Sequence, residues 1–157
     1  MKYAILFTIF SFLTVFYTFS QNISERISLD SYTAELEEFE SLEGHKNYRL
    51  CIKDNSDTIV VKSESFLSAP GAELEWLGEN YVAVYGGSFY AADCFCLIYD
   101  GSTGRMSEKI YRPICVDIKT ETIVSVDTEK IIVLKIFDTK LKKKITLPDA
   151  LLSKIIS

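Results

Sequence analysis

The 157-residue chain holds one histidine, His45, and one tryptophan, Trp76. His45 sits among Glu43, Gly44, Lys46 and Asn47, a polar turn, and no Gly-x-Ser-x-Gly elbow accompanies it. The four cysteines include one close-spaced pair, Cys94 and Cys96, but no second pair of cysteines or histidines that would complete a zinc site. Asp54-Asn55-Ser56-Asp57 lacks the spaced ligands and closing glutamate of a calcium loop, and reads as a plain turn. Acids are plentiful, yet no spacing favours one pair for glycoside hydrolysis. The sequence therefore predicts no catalytic residues, no metal and no cofactor, and the expectation is that the protein is not an enzyme.

Positive charge is also scarce. Lysine and arginine total 17 against 22 acids, a balance that repels phosphate backbones and argues against nucleic acid. The one basic cluster, Lys140, Lys142, Lys143 and Lys144, reads as a strand edge guarded against unwanted pairing. The acids between residues 35 and 43 read as a solvated face.

At the N-terminus, Lys2 precedes 17 residues from Tyr3 to Phe19 that are apolar apart from Thr8, Ser11, Thr14 and Thr18. Thr18-Phe19-Ser20 ends the run with small residues at the last and third-last places, the pattern of a signal peptide. The run is short of the roughly 20 residues that span a bilayer, so contact with the membrane is expected only through this segment, were it left uncleaved. The expectation is a signal peptide over 1–20 and a secreted or periplasmic single domain over 21–157. Without Lys2, 16 basic and 22 acidic residues leave a charge of −6.

The rest of the chain reads as β. Residues 22–30 are ambiguous, because Ile23 and Ile27 fit a helical turn while Ile27 and Leu29 fit a strand. Tyr32, Ala34 and Leu36 alternate with acids, which predicts a strand over 32–39. Residues 48–53 and 58–62 flank the turn at Asp54 as a hairpin. Runs over 72–76, 81–84, 94–99, 114–118, 122–126, 131–137 and 141–147 are rich in valine, isoleucine, threonine and aromatics. Trp76, in phase with Leu74, is expected in the core. Beyond Pro148, Leu151, Leu152, Ile155 and Ile156 share one helical face, which predicts a short C-terminal helix.

These runs repeat. Ile52-Lys53-Asp54, Ile98-Tyr99-Asp100 and Ile136-Phe137-Asp138 each close a strand, with the aspartates 46 and 38 residues apart. Three units follow, about 32–65, 72–112 and 114–147. Strand, turn, strand, loop, strand, Asp-turn, strand at this period resembles a four-stranded β-propeller blade. The resemblance is to that architecture, and it implies an all-β fold, an antiparallel meander of hairpins in stacked or sandwiched sheets. The alternative is a β-barrel.

Four cysteines in a secreted chain suggest disulfides among Cys51, Cys94, Cys96 and Cys115. Cys94 and Cys96 lie two apart in a strand and share a face, so their partners would be Cys51 and Cys115. The alternative is small buried thiols.

One loop breaks the repeat. Val84 to Ile98 spans 14 residues where the matching Val126 to Ile136 spans 10. The excess falls in residues 86–93, and longer loops on a tight scaffold tend to carry binding residues. Tyr85, Gly86, Gly87, Phe89, Tyr90 and Asp93 are the expected binding set, with planar apolar area and polar tips suited to protein or sugar. The alternative is that Phe89 and Tyr90 cap the core edge. The functional expectation is a binding module contacting another protein, as inhibitors and immunity-type proteins do, or else carbohydrate or a cell surface.

Overall fold

A computed structural model describes residues 22–41, 43–68, 71–87, 93–127 and 130–146. Every regular element among them is a strand, and every pairing is antiparallel. The first sheet comprises β1 (Asn22–Ser28), β2 (Thr33–Glu40), β3 (Lys46–Lys53) and β4 (Ile59–Lys62) in that order, with β5 (Phe66–Leu67) also pairing β3. In the second, β6 (Ala72–Gly78), β7 (Tyr81–Gly86) and β8 (Phe95–Asp100) lie side by side. The short β9 (Arg105–Met106) and β10 (Ile110–Tyr111) both pair the far edge of β8. The third is β11 (Pro113–Asp117), β12 (Thr122–Asp127), β13 (Lys130–Lys135) and β14 (Asp138–Thr146), again in order. Thus the described residues form three antiparallel sheets of similar size, and none of these closes into a barrel. The helix expected beyond Pro148 lies outside the described residues, as does the segment expected to be a signal peptide.

Two apolar cores stack these sheets in layers. Ala34, Leu36, Leu50 and Ile52 of the first sheet meet Val82, Val84, Phe95, Leu97 and Tyr99 of the second. Ala83, Cys96, Ile98 and Ile110, from the other side of the second sheet, meet Ile123, Leu134 and Ile136 of the third. Side chains of a strand alternate between faces, so β8 sends Phe95, Leu97 and Tyr99 to one core and Cys96 and Ile98 to the other. All six of its residues are buried. A continuous apolar run such as Phe-Cys-Leu-Ile-Tyr belongs in such a two-sided position.

The repeated Asp-turns have a common build. Ile52, Ile98 and Ile136 are each fully buried, and the aspartate two residues on caps the turn with its carboxylate. Asp54 accepts the Ser56 and Thr58 amides at 2.9 and 3.0 Å. Asp100 accepts the Ser102 amide at 2.9 Å and the Thr103 hydroxyl at 2.5 Å. Asp138 accepts the Lys140 amide at 3.2 Å. A short carboxylate reaching the backbone two residues ahead is the bond that fixes such turns.

One open reading is settled and two expectations need correction. Residues 22–28 are a strand whose bulge between Ile23 and Glu25 switches the outward and inward faces, which is why the pattern fits no single period. Trp76 is 56 % exposed. It shares the face of Leu74, but β6 is an edge strand that leaves the cover of the first sheet, from buried Ala72 through half-buried Leu74 to exposed Trp76. Phase sets the face of a side chain and says nothing of how far the opposing layer extends.

The second correction concerns Glu35 and Glu37, which are only 1 % and 7 % exposed and do not form a solvated face. They lie on the outer side of the first sheet beneath basic neighbours. Glu35 pairs with Arg26 and with Lys53 Nζ at 2.8 Å, and Glu37 with Lys62 Nζ at 3.4 Å. Long basic side chains lay their stems over the sheet while keeping their charge beside the carboxylates.

Candidate functional site

The long loop leaves β7 at Gly86 and returns at Cys94, ahead of β8. Its neck is tightly closed. Gly87 has φ 79°, and a Cβ there would stand 2.6 Å from the Asp93 carbonyl oxygen and 2.7 Å from Cys94 Cα, so only glycine fits. The Gly87 amide donates to Ser68 Oγ at 2.8 Å, and that hydroxyl donates in turn to the Gly71 carbonyl. The tip of the Phe95 ring lies against Gly86, where a Cβ would meet its Cζ at 2.5 Å. The two glycines and Asp93 thus form a fixed base. Phe89 and Tyr90 lie outside the described residues.

Beside this base runs a row of aromatic rings from both the first and second sheets. Tyr48 and Phe66 are 6.2 Å apart between centroids, Phe66 and Phe95 5.0 Å, and Phe95 and Tyr111 6.3 Å. Lys109 Nζ lies 5.4 Å from the Phe66 and Phe95 centroids, within range for a cation–π contact. Tyr48, Phe66 and Phe95 are buried, whereas Leu67 and Tyr111 are more than half exposed. Tyr111 also borders an open cleft of about 530 Å³ between β10 and the third sheet, lined by Lys109, Arg112, Asp127 and Lys142 among others.

No family model, curated protein or solved structure matches this chain. The site must therefore be read from its own geometry. Tyr85 points away from the row, because it alternates with Val84 and Gly86 on β7 and faces the third sheet. There it lines a separate cleft of about 260 Å³ with Glu73, Glu75 and Cys115. Burial raises its phenol pKa, and the nearby Cys96 and Glu75 add to the rise. The expected set is divided: Gly86, Gly87 and Asp93 build the loop base, and Tyr85 belongs to another surface. Tyr48, Phe66, Leu67, Phe95, Lys109 and Tyr111 were not legible as a site, since they come from four strands and the loop before β10, which meet only in the fold.

The cysteines form no disulfide; all four are free. Cys51 pairs in register with Glu35 on the outer face of the first sheet, while Cys96 enters the core between the second and third sheets. A whole layer separates them, which rules out the 4.4–6.8 Å Cα spacing a disulfide needs, a range of about these limits in known bridges. Burial pushes both the Cys51 and Cys96 thiols up to about 12, so neither forms thiolate at neutral pH. Only Cys115 is exposed. A thiol reagent at pH 8 is expected to label Cys115 within minutes in the native protein and the other three only on unfolding. Rapid labelling of two or more native thiols would contradict this arrangement.

His45 faces solvent, with Glu43 Oε2 4.0 Å from its Nε2. Among the described residues no group of three or more His, Cys, Asp or Glu side chains is placed to hold a metal ion.

Proposed function

We propose that the protein is a secreted or periplasmic binding module, built of three blade-like sheets, that contacts another protein through the 86–93 loop and the surface beside it. The observation that carries this reading is the closed loop base set against the aromatic row, with Leu67 and Tyr111 exposed at its margin. A rigid scaffold presenting a loop with aromatic anchors is the composition that protein interfaces favour. Sugar binding is less well supported. A stacking platform needs open ring faces, whereas Phe66 and Phe95 are buried and meet edge to face at 79°.

The test is a pull-down from the native extracellular or periplasmic fraction, comparing wild type with Phe89→Ala/Tyr90→Ala and with Leu67→Ala/Tyr111→Ala. The expected result is one defined protein captured by wild type, with affinity reduced at least about tenfold in either double variant while its melting curve stays near wild type. Capture of the same proteins by all three forms would mean that this end of the molecule is scaffold.

A further inference from the structure

The second sheet stops short of the third at one end. Its last strand, β10, holds only Ile110 and Tyr111, and the chain then crosses to β11 through Arg112. The cleft of about 530 Å³ beside Tyr111 opens where the inner face of the third sheet is left uncovered. Volumes of about 300–1,000 Å³ are usual for sites that take small molecules.

Register assigns the side chains that border it. Residues paired across strands share a face. Leu134 belongs to the core against the second sheet, so Lys142, aligned with it, faces the same way. Ile132 packs against that core too, and its register brings Ser125 on one side and Lys144 on the other to this face. The cleft therefore has an apolar floor, Ile132 and Leu134, with hydroxyl and basic groups around it.

Three of those polar groups are uncommitted. Arg112 is half-buried, yet among the described residues no carboxylate, carbonyl or ring meets its guanidinium. Lys142 likewise forms no ion pair among them. Ser125 is 5 % exposed, and its hydroxyl too has no partner among the described residues. Lys109, by contrast, rests its ammonium on Phe66 and Phe95. Of the acids at the border, Glu108 already accepts the Thr139 hydroxyl at 2.8 Å, and Asp127 is exposed. A buried hydroxyl and a half-buried guanidinium with five donors favour an acceptor, and a negatively charged one suits all three groups.

Arg112 is also held in place. Its amide donates to the Cys94 carbonyl at 2.8 Å and its carbonyl accepts the Val126 amide at 3.1 Å, which pins it between the second and third sheets. Its φ is 51°, in the left-handed region that asparagine and glycine enter more easily than arginine. The backbone alone would favour another residue there.

We propose that this cleft binds a small molecule bearing one carboxylate on an apolar body. Arg112 holds the carboxylate in its planar fork, Ser125 and Lys142 donate to the same group, and the body lies on Ile132 and Leu134. The site shares only its rim, Lys109 and Tyr111, with the surface proposed to contact a protein, and it stands whether or not that contact is made.

The test titrates the isotope-labelled full chain with hexanoate and follows the backbone amide NMR signals. Hexylamine supplies the same body with the opposite charge, and inorganic phosphate supplies the charge without the body. The expected result is saturable binding of hexanoate, with shifts centred on Arg112 and Ser125, and none of hexylamine. Phosphate should bind at least about tenfold more weakly than hexanoate. Arg112→Asn and Ser125→Ala should each weaken hexanoate about tenfold, while Lys46→Gln, on the first sheet, leaves its binding unchanged. Arg112→Asn should melt at or above the wild-type Tm, since asparagine relieves the left-handed backbone, so its loss of binding is not a loss of fold. Equal binding of hexanoate and hexylamine would overturn the proposal, because apolar contact alone would explain it. So would hexanoate binding unchanged in Arg112→Asn, tighter binding of phosphate than of hexanoate, or no saturable binding of hexanoate to wild type.

Discussion

Replacing Gly101 by alanine is expected to destabilise the protein by about 3 kcal/mol, as much as emptying a core position. The added methyl would stand 1.9 Å from Tyr32 Cε1 and 2.6 Å from Cδ1. Tyr32 cannot swing aside cheaply. It is 3 % exposed, its ring meets Tyr99 edge-on at 5.3 Å, and its hydroxyl donates to the Asn80 carbonyl at 2.7 Å. The Gly101 amide donates to that same carbonyl at 2.8 Å. Moving the ring therefore loosens the point where the first two sheets are tied at their turns. For a domain of this size the loss should lower Tm by about 10 °C. The cause is checked by a double-mutant cycle: in a Tyr32→Ala background the Gly101→Ala change should cost less than about 0.5 kcal/mol. An equal cost in both backgrounds would place the effect elsewhere.

The second large effect is expected at Asp100. Its carboxylate is 1 % exposed and receives the Ser102 amide and hydroxyl and the Thr103 hydroxyl, with Arg105 Nη2 at 3.5 Å. Asp100→Ala removes a buried, charged acceptor that closes the turn with three hydrogen bonds, at a cost of about 3 kcal/mol. Arg105 keeps Glu121 at 2.8 Å and its stacking on Phe137, so it adds little to the loss.

The same group gives a pH dependence. Burial raises the Asp100 pKa, but the Ser102 and Thr103 donors outweigh it and hold the carboxyl below the ordinary 3.8. Asp54 and Asp117 are lowered likewise, by Ser56 and Thr58 in one turn and Thr120 in the other. A carboxyl with a folded pKa below its unfolded value contributes fully above the unfolded value and loses that contribution as pH falls through the folded one. Tm should thus be level from pH 7 to about 5 and decline below about 4. Asp100→Asn should start lower and decline less steeply. Parallel curves for the two proteins would remove Asp100 as a source of the acid sensitivity.

Much of the strand order was legible because alternation and β-branched runs report directly on a pleated, half-buried surface. The Ile-x-Asp turns were legible for a related reason: a buried isoleucine followed by a capping carboxylate is a local device. What the sequence could not convey was which layer each face meets. Trp76 has the phase of a core residue and lacks the cover. Glu35 and Glu37 have the pattern of a solvated strand and yet are buried, because Arg26, Lys53 and Lys62 arrive from three other strands. The loop was found by its length, and its glycines do form the base. Tyr111 and Phe66 escaped notice because the two-residue strands that carry them have no period to read.

The central strand has a consequence for how the molecule comes apart. A slip of β8 by one residue against β7 would exchange Phe95, Leu97 and Tyr99 for Cys96 and Ile98, inverting the contents of both cores at once. Neither outer sheet can then loosen independently of the middle layer without exposing one side of β8. The three layers are thereby coupled into one cooperative unit, expected to melt in a single transition even though each sheet is a local meander that zips up from neighbouring hairpins.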